Sequence, residues 1–511
     1  MVHEDTPIII GVGQQTERGK ELSLTASPMD LMEQATYLAA EDAGISDKYF
    51  DELDAVAVVK SLYPFTRNPP KTLAYRIGAN RILAIETPIG GNMPQFLINR
   101  FFEEISQRKI RFALFAGTEA METSRRFIKS TGKPDWNEET GDDPWPIVNE
   151  IPMATVHEKA HGIWPARNVY PLFENALRGR YGNTIEQHQL EMGQLFSRFS
   201  EVAAQNPFSW FRDRRSAEEI ANPSSVNRMV GWPYTKFMNA MNQVNQSAAV
   251  LLTSVGYAKE MGVPENKWIY LHGCADVNEK WHVSHRVNYH SSPALKKMGQ
   301  RVFEMAGKTI KDMDFIDLYS CFPVAVEMAR DELGIAKDDP RPLTVTGGLP
   351  YHGGAGSYVL NALVTMTQKL RDNPGSFGLV TANGGYLSEH SAGIYSTTPL
   401  PPPLRGEVPW QRSDPLIDQT HIDALIAPAF TKTPTGKAVI ETYTVASGRN
   451  GKPDLGIVVG RLGESNDPDA TRFIANTPVD TDLLKDMMQT DYLGASGTVS
   501  QNGSTNLFIP H

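Results

Sequence analysis

Thr87-Pro88-Ile89-Gly90-Gly91-Asn92, then a helical stripe of Met93, Leu97, Phe101 and Ile105, then Phe112-Ala113-Leu114-Phe115-Ala116-Gly117: the reading of this stretch decides the fold. It runs from a glycine turn into a helix with apolar side chains every three or four residues, and out into a buried strand closed by glycine. The same grammar returns downstream. Thr346-Gly347-Gly348 and His352-Gly353-Gly354-Ala355-Gly356 precede a helix striped by Val359, Leu363, Met366 and Leu370, and Phe377-Gly378-Leu379-Val380-Thr381 then ends at Asn383-Gly384-Gly385. Gly91 and Gly117 are 26 positions apart, and so are Gly356 and Ala382. Repetition of one α/β unit predicts a duplicated domain whose equivalent loops meet at a pseudo-dyad.

Upstream, Pro7-Ile8-Ile9-Ile10-Gly11-Val12-Gly13 and Asp54-Ala55-Val56-Ala57-Val58-Val59 read as buried strands. Between them Ser27 offers an N-cap and Pro28 fits the first helical position, predicting a helix through Ala43. Residues 1–121 form the first half. Residues 122–240 are a long insertion with five of the eight tryptophans (Trp136, Trp145, Trp164, Trp210 and Trp232), expected to pack as a cap over a site. Residues 241–398 form the second half, with a strand resuming at Trp268-Ile269-Tyr270-Leu271. Pro399-Leu400-Pro401-Pro402-Pro403 is a stiff linker to a β-rich region, 399–511. Its strands, Ala438–Val445, Leu455–Leu462 and Thr471–Ala475, with a turn at Ser447-Gly448-Arg449-Asn450-Gly451, predict a small OB-like β-barrel.

Composition sets the outer bounds. Of 511 residues, 41% are apolar and 21% charged, an ordinary globular balance. With 59 acidic against 49 basic residues the net charge is −10, which argues against nucleic acid or an anionic membrane as partner. The C-terminal region shares that sign, so single-stranded nucleic-acid binding through the barrel is the weakest reading. Two cysteines, Cys274 and Cys321, exclude a disulfide scaffold and suggest a reducing, cytoplasmic setting. No apolar run reaches the roughly 18–20 residues of a membrane span. His157-Glu158-Lys159-Ala160-His161 matches the zinc string HExxH, but Gly162-Ile163-Trp164-Pro165 ends any helix at once, and no metal site is expected. Gly11-Val12-Gly13 lacks the third glycine of a dinucleotide fingerprint.

Four loops in order carry a resemblance to the thiolase superfamily. The Thr87–Asn92 turn sits where thiolases carry the nucleophilic cysteine. Asp317-Leu318-Tyr319-Ser320-Cys321-Phe322 resembles the NEAF or HDCF loop, Gly347-Gly348-Leu349 with His352–Gly356 the GHPxG loop, and Ala382-Asn383-Gly384-Gly385 the CxG loop. Gln246-Ser247-Ala248-Ala249 resembles the stretch that returns from the loop domain. With the extra C-terminal barrel, the chain looks like the divergent thiolase-like proteins of type 1. The resemblance implies a five-layer αβαβα fold with a loop-domain insertion, and CoA or an acyl-CoA as ligand with no tightly bound cofactor. It also implies a monomer or homodimer.

The departures shape the expected chemistry. The resemblance puts Gly91 at the nucleophile, Gly354 at the catalytic histidine and Ala382 at the second cysteine, while Tyr319 and Ser320 replace asparagine and glutamate. Acyl transfer through a thioester needs a thiolate, so a conventional thiolase reaction is not expected. The amides of Gly91 and Gly384 match the family's oxyanion hole and need no side chain. His352, two residues before the lost histidine, and Cys321, in the HDCF cysteine's place, are the candidate proton carriers, with His352 preferred and His390 third. Each also has a plain structural reading as a packed loop histidine or an inert thiol. Asn92, Tyr319, Gly353, Gly354, Asn383 and Ser247 are the candidate substrate contacts. The expected function is an acyltransferase-like enzyme acting on acyl-CoA without a cysteine acyl-enzyme. The alternative is a non-catalytic acyl-CoA-binding or scaffold subunit.

Overall fold

Helix Met93–Ser106 is buried nearly all round, through Leu97, Ile98, Phe101, Phe102 and Ile105, because it lies between two sheets. Its downstream counterpart, Tyr358–Asp372, lies beside it in the same layer. A helix buried on every side must satisfy its own polar groups. Accordingly, Gln95 Nε2 donates to Asn99 Oδ1 at 2.7 Å, and Asn99 Nδ2 donates to Asp276 Oδ1 at 3.0 Å. The computed structural model describes residues 2–511 except 20–25, 64, 131, 139, 149–150, 355, 402, 404–407, 466 and 468. Ala355 of the second glycine loop and Pro402 of the linker therefore lie outside the described residues.

The first sheet has six strands in the order Pro7–Thr16, Asn245–Ser254, Phe112–Ala120, Ala55–Val58, Leu83–Glu86 and Trp145–Pro146. The second has four, Phe315–Asp317, Phe377–Gly384, Glu389–Ser396 and Tyr270–Asn278. Each sheet pairs a parallel strand, the strand that follows the central helix, and an antiparallel return; Phe112–Ala120 runs on through Gly117, where the sequence predicts its close, into helix Met121–Ser130. This is the duplication expected from the 26-residue spacing. The halves join where Ile9 and Ile269 exchange backbone hydrogen bonds of 2.9 and 3.0 Å. Outer helices complete five layers. Pro28–Ala43 covers the first sheet, starting at a Ser27 capping box as predicted, and Pro293–Ala306 covers the second. Gly11 and Gly13 have a packing reason: a Cβ on either would overlap a carbonyl of the covering helix, that of Ala39 or Ala35.

The insertion contributes helices Ala166–Tyr181 and Ile185–Gln205, the second begun by a Thr184 capping box. The C-terminal region forms a closed five-stranded barrel. Around it run Gly436–Ser447, Pro453–Leu462, Arg472–Asn476, Thr505–Pro510 and Ser496–Asn502, which pairs back onto the first. Its apolar filling includes Ile440, Tyr443, Val445, Val458, Phe473, Val499 and Phe508. The barrel is fastened to the rest. Buried Arg472 donates to Glu441 at 2.7 and 2.8 Å and also to the Arg286 carbonyl, and Trp232 of the insertion stacks on Tyr443 at 5.1 Å. No helix among the described residues is long and apolar enough to cross a membrane.

Candidate active site

Three of the four predicted loops meet at Gly91. It ends the turn before the central helix and is partly accessible, and its N–H meets no acceptor among the described residues. A Cβ here would overlap the Tyr319 hydroxyl and stand 2.5 Å from the Asn383 carbonyl oxygen. The space a nucleophilic side chain would need is therefore filled by Tyr319 from the Asp317–Phe322 loop. Across the contact, a Cβ on Gly384 would overlap Asn92 Oδ1 and stand 2.6 Å from Glu389 Oε2. Glycine at both positions lets the two loops touch backbone to backbone. Asn92 Oδ1 and Asn383 Oδ1 are buried and accept no hydrogen bond among the described residues. Native proteins rarely leave buried acceptors in that state. Both atoms lie in the contact that also holds the unengaged N–H of Gly91.

The insertion reaches this contact. Tyr170 Oη donates to the Gly385 carbonyl at 3.1 Å and accepts from Asn383 Nδ2 at 2.9 Å, and its ring stacks on Phe322 at 4.4 Å. Cys321 lies beside it, 3.9 Å from Asn383 Nδ2, and burial pushes its thiol up to about 12. A thiol in that state holds its proton at neutral pH. Cys274 is also buried, and burial raises it well above the usual range.

Glu389 was not singled out by sequence reasoning. It opens the return strand, paired with Gly384, and its Oε2 lies 3.5 Å from where a Gly90 Cβ would stand. Burial pushes its carboxyl up to about 7, with Asn92 opposing the shift, and the side chain keeps partial access to solvent. It is a partly accessible carboxyl near neutrality, beside both candidate oxyanion amides. The signal lay in strand alternation: in Glu389-His390-Ser391 the imidazole draws attention, yet it is the glutamate that opposes Gly384.

The remaining predicted residues lie elsewhere or are engaged. His352 is fully buried, its carbonyl accepting from Gln246 Nε2 at 2.9 Å and its Nδ1 3.4 Å from Ser209 Oγ. Burial pushes its imidazole down to about 3, with Asn361 opposing. It is linked to Tyr319 through the ring of Tyr358, 5.9 Å from each. Gly353 and Gly354 both have positive φ, and Cβ atoms there would press on Val244 and on Gln246 Oε1. His390 points away from Glu389, its Nε2 3.2 Å from the Leu387 carbonyl, and burial pushes it down to about 3. Ser247 donates to the Leu31 carbonyl at 2.6 Å, on the outer-helix side of the first sheet. The structure thus brings together Gly91, Asn92, Tyr319, Cys321, Asn383 and Gly384, and sets His352, Gly353, Gly354, His390 and Ser247 apart.

Two groups bear on metals. In the HExxH string, His161 Nδ1 lies 2.8 Å from the His157 carbonyl and Nε2 accepts from Asn506 N at 2.9 Å, so both ring nitrogens are engaged. Glu174, His188 and Glu327 bring buried donor atoms within 4.8 Å. There His188 Nε2 lies 2.6 Å from Glu174 Oε1 while Tyr234 donates to the other oxygen at 2.7 Å, a hydrogen-bonded network that joins the insertion to helix Pro323–Glu332.

Comparison with known proteins follows the same lines. Residues 418–504 match the family model of the thiolase-like protein type 1 additional C-terminal domain. The whole chain is similar to the crystal structure of a monomeric SCP2-thiolase like protein type 1 from Mycobacterium smegmatis, at 35% identity over 100% of both chains, with a TM-score of 0.84. The chain belongs to this family. Two more distant structures share the fold. One is an Ltp2-ChsH2(DUF35) aldolase at 17% identity, covering 78% of this chain and 99% of that one with a TM-score of 0.58. The other is the dimeric peroxisomal thiolase of Saccharomyces cerevisiae at 12% identity, covering 78% and 98% with a TM-score of 0.54. Among curated proteins, the acetyl-CoA acetyltransferase of Methanocaldococcus jannaschii is 21% identical over 332 residues, 64% of this chain and 76% of that protein. The thiolase-like identity and α/β fold implied by the loops therefore hold.

Proposed function

We propose that this chain binds an acyl-CoA thioester where the Thr87–Asn92, Asp317–Phe322 and Ala382–Glu389 segments meet, and acts on it without an acyl-enzyme. The observation that carries this reading is the Tyr319 hydroxyl standing in the space beside Gly91, next to an unengaged amide. The amides of Gly91 and Gly384 polarise the thioester carbonyl, and preorganised backbone donors do this at little reorganisation cost. Glu389 moves the proton. The α-C–H bond of the acyl group breaks, its proton passes to the carboxylate, and the electron pair moves into an enolate oxygen held by the amides. A carboxyl near neutrality suits both halves of that exchange. In this account Glu389 takes the role first sought in His352 or Cys321.

A non-catalytic acyl-CoA binder is the second reading, supported by the absence of side-chain chemistry at Gly354 and Ala382. CoA is then ligand rather than substrate. Similarity to a monomeric relative supports a monomer, and the unpaired cysteines support a reducing, cytoplasmic setting.

Exchange of α-protons into deuterated water, measured alongside the thermal shift with acetyl-CoA and longer acyl-CoA esters, separates the readings. The enzyme reading expects a raised melting temperature and α-deuterium in the recovered ester. A raised melting temperature with no exchange favours the binder, and no shift with any ester overturns both.

A further inference from the structure

A cleft lies next to Ser388, whose hydroxyl bonds the Trp281 carbonyl. One wall is the segment after strand Tyr270–Asn278, carrying Lys280, Trp281, His282 and His285. The facing wall is the segment leading into the barrel, carrying Phe430 and Lys432, and the cleft encloses about 770 Å³. That volume is in the range of small-molecule sites. Both walls are fixed. Trp281 Nε1 donates to the Pro152 carbonyl at 2.9 Å, and Phe430 bridges to Arg472, whose guanidinium ties the barrel to the core. In a chain of net charge −10, Lys280 and Lys432 bring two ammonium groups to one opening, beside the imidazoles of His282 and His285.

The lining sets the two lysines beside the aromatic rings of Trp281 and Phe430. His285 and His157 stand edge-on to the Phe430 ring at 6.0 and 5.8 Å. His157 Nε2 is buried with no hydrogen-bond partner among the described residues. Behind this wall the Glu158 carboxylate accepts from the amides of Ser284 at 2.8 Å and Thr155 at 2.7 Å. Ammonium groups recognise phosphate as point charges, and indole and phenyl faces accept a stacked base. The cleft also adjoins the candidate active site. Ser388 Oγ donates to the Trp281 carbonyl at 3.2 Å, its own carbonyl accepts from Glu279 N at 2.8 Å, and the next residue is Glu389.

We propose that the cleft between Lys280–His285 and Ala427–Lys432 binds a nucleoside phosphate, its base against Trp281 or Phe430 and its phosphates on Lys280 and Lys432. Resting on the reading above, the occupant is the phosphoadenosine end of the CoA ester, with the pantetheine arm passing Ser388 toward Gly91. The C-terminal barrel then has a defined part in binding, because it supplies one wall.

Calorimetric titration of the full chain with adenosine 3′,5′-bisphosphate, CoA and acetyl-pantetheine tests this, against the double variant Lys280→Ala/Lys432→Ala. Both lysines reach solvent, and Phe430→Ala gives an independent variant that leaves the charge intact. The expected result is binding of bisphosphate and CoA by the wild type, about tenfold or more weaker in each variant, with acetyl-pantetheine unaffected. Equal CoA affinity in all three proteins overturns the proposal, as does preference for a single-stranded oligonucleotide over the bisphosphate. Lysine-dependent bisphosphate binding without CoA or pantetheine binding upholds the nucleotide cleft and removes the acyl-CoA reading instead.

Discussion

The two glycine loops that precede the central helices occupy equivalent places in the two halves, and they have become opposites. At Gly90-Gly91-Asn92 the missing side chains let in Tyr319, Asn383 and Glu389, and leave an amide and two buried acceptors without partners among the described residues. At His352-Gly353-Gly354 the chain turns through positive φ, Val244 and Gln246 press on it, and the imidazole is sealed from water. One loop is filled by side chains and backbone from two other segments, the other is shaped by positive φ and packed on its own neighbours. A duplicated frame can thus keep its architecture while its two equivalent loops diverge, and the same residue type serves close approach in one and backbone conformation in the other.

The largest contrast is expected in catalysis. Glu389→Gln keeps the shape and removes the proton acceptor, so α-proton exchange should fall by about 10²–10⁴-fold while CoA affinity stays nearly unchanged. His352→Asn should change exchange by less than about tenfold. A reversed order, read by mass spectrometry of the recovered ester, would return the chemistry to the second loop.

Stability sharpens the comparison next. Gly91→Ala should cost about 1–3 kcal/mol by overpacking, and Tyr319→Ala in the same chain should recover part of that loss, because the two side chains compete for one space. Gly354→Ala should cost about 1 kcal/mol or more through its positive φ, with no recovery in Gln246→Ala. Urea unfolding of the wild type and the six variants, four single and two double, reads both cycles. Coupling at Gly354 equal to that at Gly91 would erase the distinction.

Smaller effects come from pH. Glu389 is needed as carboxylate and sits near 7, so exchange should rise with pH through about 7 and lose that inflection in Glu389→Gln. Its folded value is above the unfolded one, so its contribution to stability is present below the ordinary glutamate range and is lost as pH rises through about 7. Glu389→Gln should therefore gain in melting temperature relative to wild type more at pH 8 than at pH 5. His352 works in the opposite direction. Held near 3 by burial, it favours the folded state above the ordinary histidine range, and that contribution is lost as pH falls toward 3. His352→Gln should flatten the acid side of the stability profile.

Much of the frame was legible because periodicity reports burial. The helix from Pro28, the strand at Phe112 and the repeat at 26 residues all follow from apolar spacing and caps. The last two barrel strands, Ser496–Asn502 and Thr505–Pro510, escape a reading from sequence, since six of the seven residues in the former are Ser, Gly, Thr, Gln or Asn, and only closure of the barrel gives them partners. The site was legible as loops and not as side chains. Gly91, Asn383 and Gly384 came from loop order, whereas Tyr170 bonds Asn383 across 213 residues of sequence, a contact no local pattern encodes. Ser247 and Thr118 pair in register, yet sequence could not tell which sheet face Ser247 takes, and that face belongs to the outer helix.

The central claim is that the thioester is held beside Gly91 with no side chain to acylate. Intact-mass analysis and peptide mapping after incubation with acetyl-CoA, quenched in acid to preserve any thioester, address it directly. The account predicts an unmodified chain under conditions where acetyl-CoA raises the melting temperature and exchanges its α-protons. An acetyl group recovered on the peptide spanning 85–95, on Tyr319 or on Cys321 would contradict it, because a covalent acyl-enzyme requires a nucleophile the account says the site lacks.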